Sequence, residues 1–179
     1  MKKIAMLLFI IVGTILISAC QLDSGKLFND DSEIMNEKMD EVLDAIKNKN
    51  SSALKEMFSI NTVVNLENFD DSINELFDFF EGDIISYDDF GNPTGSGDEW
   101  SDGEYKKNIE STYDIVTSVK KYRMAIYLIT DDTVTPENIG IQSIYIIEFD
   151  KDPNSEFAYW GYGKDTPGIN INKIYEGKY

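Results

Sequence analysis

The chain contains no histidine and a single cysteine, Cys20. One cysteine excludes a disulfide within the chain. Soft metal sites draw on Cys or His ligands, so they are nearly excluded too. Serine or cysteine nucleophiles backed by a histidine base are excluded outright. Acid–base chemistry would fall to Asp, Glu, Tyr or Lys. Arginine is almost missing as well, Arg123 being the only one. Positive charge is scarce overall: 16 Lys and Arg stand against 33 Asp and Glu, a net charge of −17. That balance argues against nucleic acid, whose phosphates need a basic surface. It also argues against anionic headgroups bound through the protein surface. Acidity of this degree fits a protein kept soluble outside the cell. No internal repeat is visible.

What is present begins with a leader. Lys2 and Lys3 precede an apolar run, Ile4 to Ile17, that only Gly13 and Thr14 interrupt. At ~1.5 Å per residue such a run spans about 21 Å as a helix, short of the ~30 Å hydrocarbon core. An export signal over residues 1–19 fits better than a permanent membrane span. The run ends Ile17-Ser18-Ala19-Cys20, which resembles the lipobox of bacterial lipoproteins: a branched aliphatic, two small residues, then cysteine. Family examples more often carry Leu where Ile17 stands. The resemblance implies that Cys20 is the lipidation site, its thiol accepting diacylglycerol. At ~0.8 kcal/mol per buried CH₂, two long acyl chains contribute on the order of 20 kcal/mol, a stable anchor. Residues 20–30 are polar and read as a lipidated tether. Localisation is expected at the extracytoplasmic face of the cell membrane.

Residues 31–179 are long enough for one domain. With 42% apolar and 12% aromatic residues in the whole chain, a packed core is expected. Loss of Lys2 and Lys3 with the leader leaves 14 basic against 33 acidic side chains, a balance of −19. A first helix is predicted over 31–50, with Ser32 as its cap and Met35, Met39, Val42, Leu43 and Ile46 on one face. A short second helix follows, capped by Ser51 or Ser52 and turning Leu54, Met57 and Phe58 inward. A third is predicted over 70–80, capped by Asp70 or Asp71 and stopped by Gly82. The period then becomes strand-like. Strands are expected at 83–88, 105–119, 122–130 and 139–149, the last covered on both faces. Residues 90–103, rich in Gly, Asp, Ser and Pro, read as a long loop. A final edge strand is expected at 157–161. Along 105–119, Ile109, Ser111, Tyr113, Ile115 and Thr117 share one side.

Helices followed by antiparallel strands imply an α+β fold, with N-terminal helices packed on a curved antiparallel sheet. The helical corner Ala-Ile-Lys-Asn-Lys-Asn with Leu-Lys-Glu-Met-Phe-Ser, a further helix and then the sheet resemble the nuclear transport factor 2-like, or cystatin-like, cone. The stretch 73–88, Ile-Asn-Glu-Leu-Phe-Asp-Phe-Phe-Glu-Gly-Asp-Ile-Ile-Ser-Tyr-Asp, resembles the family named domain of unknown function 5104. That resemblance implies a small bacterial lipoprotein. Its motifs are packing motifs, so it carries over a fold and no active site.

The acidic stretch 88–104 invites a calcium reading. The hand-type spacing fails, because Asp98 and Asp102 lie four apart and Trp100 takes a ligand position, which leaves a solvated loop or a looser calcium site. Cones of this type often hold a pocket, and in some relatives an Asp base and a Tyr donor move protons there. Here Tyr113 and Asp114 are neighbours on one strand and point to opposite faces, so both cannot line one pocket. No catalytic, cofactor-binding or metal-binding residue stands out, and no cofactor is expected. The aromatic segment 157–163 reads as an edge strand or, if exposed, a partner surface. The expected function is a membrane-anchored binding module for a protein, peptide or small apolar ligand. A protective or immunity lipoprotein is one form of it, and a small acid–base enzyme is the alternative.

Overall fold

Met35, Met39, Val42, Leu43 and Ile46 recur at helical spacing, and in the structure all five are buried on one stripe of helix α1 (Ser24–Lys47). The structure is a computed structural model and describes residues 24–90, 95–152 and 166–172. Residues 1–30 and 31–179 are separate units. The leader, Cys20 and the aromatic segment 157–163 lie outside the described residues. Among the described residues, no helix is long and apolar enough to cross a membrane.

Helix α1 starts at Ser24 rather than near Ser32 and so extends into the stretch read as a tether. No proline interrupts that stretch, and an established helix gains one hydrogen bond for each added residue. Helix α2 (Ser51–Met57) is capped by Asn50, whose side chain accepts from the Ala53 N–H at 3.1 Å; Ser51 and Ser52 lie inside the helix. Helix α3 (Ile60–Asn65) has no counterpart in the expected elements. Ser59 starts it by accepting from the Thr62 N–H at 3.1 Å. Helix α4 (Phe69–Phe79) buries Phe69, Ile73, Leu76 and Phe77. Its cap position is Asn68; Asp70 and Asp71 stand in the first turn, where carboxylates favour the helix dipole. Gly82 follows with φ +84°, a left-handed conformation in which a Cβ would meet the Ser118 hydroxyl at 2.5 Å.

Among the described residues, six strands form one sheet: β1 (Ile84–Asp89), β2 (Gly95–Ser101), β3 (Glu104–Thr117), β4 (Lys121–Asp132), β5 (Gly140–Glu148) and β6 (Gly168–Ile171). The order is β1-β3-β4-β5-β6, with β2 beside the first half of β3 and β1 beside its second half. The antiparallel pairing expected from the sequence holds from β1 to β5. Strand β6 pairs with β5 in parallel, so the sheet is mixed. Register shifts in the β1–β3, β3–β4 and β4–β5 pairs bend the strands.

Alternation along β3 sends Ile109, Ser111, Tyr113, Ile115 and Thr117 to one face, and all five are buried. Met124 and Ile126 of β4 and Ile144 and Ile146 of β5 continue that face under α1, α2 and α4. Fully burying a side chain of this size contributes roughly 1.5–3 kcal/mol, so this layer dominates stability. The opposite face buries Ala125, Tyr145 and Ile147. Strand β5 is therefore covered on both sides, as its nearly unbroken apolar run implies.

Candidate functional site

Tyr113 and Asp114 fall on opposite faces of β3. Tyr113 is fully buried under the helices and donates to the Asn36 side-chain oxygen at 3.2 Å. Burial pushes its hydroxyl pKa up. The neighbouring Tyr87 ring meets it edge-on, with centroids 5.7 Å apart. The Tyr87 hydroxyl donates to Asp40 at 2.7 Å, and its pKa is pushed up to about 12, by burial first and by that carboxylate second. Beneath the helices, where the cone-type resemblance implies a pocket, Met35, Met39, Leu54, Ile73, Leu76 and Tyr113 are buried in one cluster.

Asp114 turns to the other face and meets Arg123 through two bonds, Nε to Oδ1 at 2.6 Å and Nη2 to Oδ2 at 2.9 Å. A fork-on-fork pair of this kind is the strongest geometry a carboxylate and a guanidinium can adopt. Nη1 donates to Asp152 at 2.7 Å. The guanidinium lies between two rings, its Cζ 4.0 Å from the Phe90 centroid and 4.7 Å from that of Phe149. Burial opposes its charge, yet the hydrogen bonds it donates to Asp114 and Asp152 prevail and raise its pKa. A cation so completely engaged holds structure together and has little capacity left for a substrate.

Two surface features remain. The first is an open groove of about 480 Å³ along α2 and α3, lined by Phe58, Ile60, Val63 and Val64 with Lys55 and Glu56 at its rim. Ile60 and Val64 are exposed. The second corrects the long loop expected at 90–103. Residues 95–101 form β2, paired residue by residue with 104–110 of β3. Asp102 and Gly103, with φ +49° and +90°, make the tight turn between them. Trp100 stands opposite Tyr105 with ring centroids 4.4 Å apart, and the indole is 72% exposed. Beside the pair lies a cavity of about 220 Å³ lined by Glu99, Glu104, Lys106 and Val134 among others. The Tyr105 hydroxyl donates to Asp98 at 3.2 Å; burial first, then Asp98, raises its pKa.

At the base of this hairpin, Lys107 forms an ion pair with the buried Asp31 of α1 at 2.6 Å, which raises the lysine pKa. Asp132 anchors the next loop. Its carboxylate accepts from the N–H groups of Val134 and Thr135 and from the Asn138 amide, and these bonds, that from Asn138 foremost, hold its pKa below the usual carboxylate range. Among the described residues, no cluster of three or more Asp, Glu or Cys side chains converges as a metal site.

Among the described residues, four helices packed against an open, curved, mixed sheet define an α+β domain, an arrangement consistent with the nuclear transport factor 2-like class. Residues 41–149, more than half of the chain, match the family described as domain of unknown function (DUF5104), and the chain belongs to that family. None of the curated proteins compared with it matches the chain.

Proposed function

We propose that this protein is a lipid-anchored binding module on the extracytoplasmic face of the cell membrane, held by acyl chains on Cys20, that recognises a protein, peptide or small apolar ligand at its surface. The observation that carries this reading is Trp100, a large aromatic left in solvent on a well-paired hairpin beside a cavity. A side chain of that size contributes little to folding when exposed, and it supplies contact energy to a partner. The separation of Tyr113 from Asp114 supports the same reading over an acid–base enzyme. Tyr113 is buried and bonded to Asn36, whereas Asp114 is paired with Arg123 on the opposite face, so the two do not meet at one site. The protective form of the function, interception of a toxic factor at the cell surface, uses the same surface.

Two measurements test the two halves of the reading. Cys20→Ser should abolish lipid labelling and release the domain or leave it unprocessed; retention at the membrane with labelling intact would sink the anchor. A photo-cross-linking residue introduced at Ser101 of the full chain should capture an envelope component that the same residue at Glu75 does not. Identical capture from both positions removes the case for the hairpin.

A further inference from the structure

We infer that the end of the sheet bearing Trp100 rests on the lipid bilayer to which the chain is anchored, its exposed apolar side chains seated among the lipids at the bilayer surface. The inference rests on the anchor at Cys20. Of the occupants that the binding-module reading leaves open, it names one: the apolar part of membrane lipids.

Exposed apolar side chains are spread unevenly over the domain. Among the described residues, seven large ones stand in solvent. Two of them, Ile85 and Val119, lie at the end of the sheet where β1 begins and β3 turns into β4. The other five are Trp100, Val134, Ile139, Ile60 and Val64. They gather at the opposite end, where β2 turns into β3, β4 ends and β5 begins. Trp100 and Val134 line one cavity. The loop after Val134 is tied to α3 by the Asn61 amide, which donates to the Asn138 side chain at 2.8 Å, and Ile139 comes next. Ile60 and Val64, one turn apart on α3, line the adjoining groove. The Ser59 N–H holds the start of α3 to β5 by donating to the Ile141 carbonyl at 3.0 Å.

A gathering of exposed apolar side chains marks a contact surface. The chain that precedes the domain says which contact. Asp31 of α1 pairs with Lys107 of β3, two residues past Tyr105, so the chain enters the domain at this same end. Cys20 precedes Asp31 by eleven residues. Four of them lead to the start of α1 at Ser24, and seven lie within the helix. At ~3.5 Å for each extended residue and ~1.5 Å for each helical one, the reach is about 25 Å. The far end of β3, at Thr117, is ten residues beyond Lys107, which adds roughly 33 Å. A lipid on Cys20 therefore holds the Lys107 end within about 25 Å of the bilayer, whereas the Val119 end can stand clear of it.

Tryptophan and tyrosine favour the membrane interface, where the ring meets acyl chains and the polar edge meets headgroups and water. Acidic side chains at this end, Glu99 and Glu104 among them, oppose deep insertion and anionic headgroups. The contact is therefore shallow and apolar. It need not be strong, because an anchor holds the patch at an effective concentration on the order of millimolar. A protein partner could cover the same side chains, but nothing ties its position to the anchored end of the domain. The tether does so for the bilayer.

The experiment reads tryptophan quenching in the full-length lipidated chain, reconstituted into phosphatidylcholine vesicles with brominated acyl chains. The Trp100 signal is the difference between this chain and Trp100→Phe. Val119→Trp, made on Trp100→Phe, reports on the opposite end in the same way. The expected result is a blue-shifted Trp100 signal quenched by the bromines, from a depth of about 5–10 Å into the headgroup and acyl boundary. The Val119→Trp signal should be unquenched. Ile60→Glu with Val64→Glu puts charge in the patch and should relieve the quenching of Trp100. Circular dichroism of each variant confirms that the fold is retained. Flotation separates the two readings. A chain that does not float with the vesicles overturns the anchor, and this inference with it. A chain that floats with Trp100 unquenched, or with both reporters quenched alike, overturns this inference alone. If cross-linking at Ser101 captures a protein while Trp100 is unquenched, the module stands with a protein partner in place of lipid.

Discussion

Arg123 concentrates more interaction than any other residue described. It is 1% exposed and carries its charge on Asp114, Asp152 and two rings. Replacing it with methionine leaves two carboxylates facing a covered apolar strand, which should cost about 3–5 kcal/mol, the range for breaking a buried pair from one side. Urea unfolding reads that cost, and a loss under about 1 kcal/mol would mean that solvent reaches the site. Adding Asp152→Asn to Arg123→Met should cost less than the sum of the two single changes, because they share one bond. Gly140 is a second point of constraint. Its φ is +124°, and a Cβ would sit 2.7 Å from the Ser59 nitrogen. That nitrogen is fixed by donating to the Ile141 carbonyl at 3.0 Å. Gly140→Ala should therefore destabilise by on the order of 1–3 kcal/mol, the cost of a strained backbone. A denaturation midpoint equal to wild type would show that the α2–α3 junction yields.

The hairpin shows at the scale of an element how turn chemistry outranks composition. Gly, Asp, Ser and Pro over 90–103 read as loop, yet Asp102-Gly103 is the dipeptide that favours a two-residue turn with both φ values positive. Read that way, Glu99 to Lys106 folds back on itself and pairs Trp100 with Tyr105. Gly103→Ala places a Cβ at φ +90° and should cost roughly 1–2 kcal/mol. Open space surrounds the position, so the loss reports backbone strain alone. Near-ultraviolet circular dichroism from the Trp100–Tyr105 pair should weaken before the far-ultraviolet signal does. Simultaneous loss of both signals would argue that the hairpin and the core unfold as one. Helix α3 was illegible for a different reason. Its six residues include Ile, Thr and two Val, which favour strands, and it persists because Ser59 caps it and Phe58 bridges to Ile141.

At the scale of the whole molecule, stability depends on carboxylates that the fold keeps charged. Lys120 bonds Glu148 and Glu81, and its bond holds the Glu148 pKa below the usual range. Asp132 is held down in the same direction by Asn138 and the loop N–H groups. A depressed folded pKa contributes stability that is present above the ordinary carboxylate value and lost as pH falls through the folded one. The urea midpoint should therefore fall as pH drops from about 6 to about 3, and Glu148→Gln or Asp132→Asn should each flatten that slope. A slope unchanged in both variants would place the acid sensitivity elsewhere.

Residues alone determined the α+β class, the inward stripe of α1, the inward side of β3 and the two-sided burial of β5. Each of these depends only on whether apolar positions recur at 3.6 or at 2, a property of neighbours along the chain. They also set the charge of the molecule and the absence of histidine chemistry. The tertiary structure decided what depends on partners far away in sequence. It gave Asp114 to Arg123. It set β6 parallel beside β5 and left Trp100 in solvent. Which side chain pairs with which, and whether an aromatic ends inside or outside, follows from packing between elements, and no local period records it.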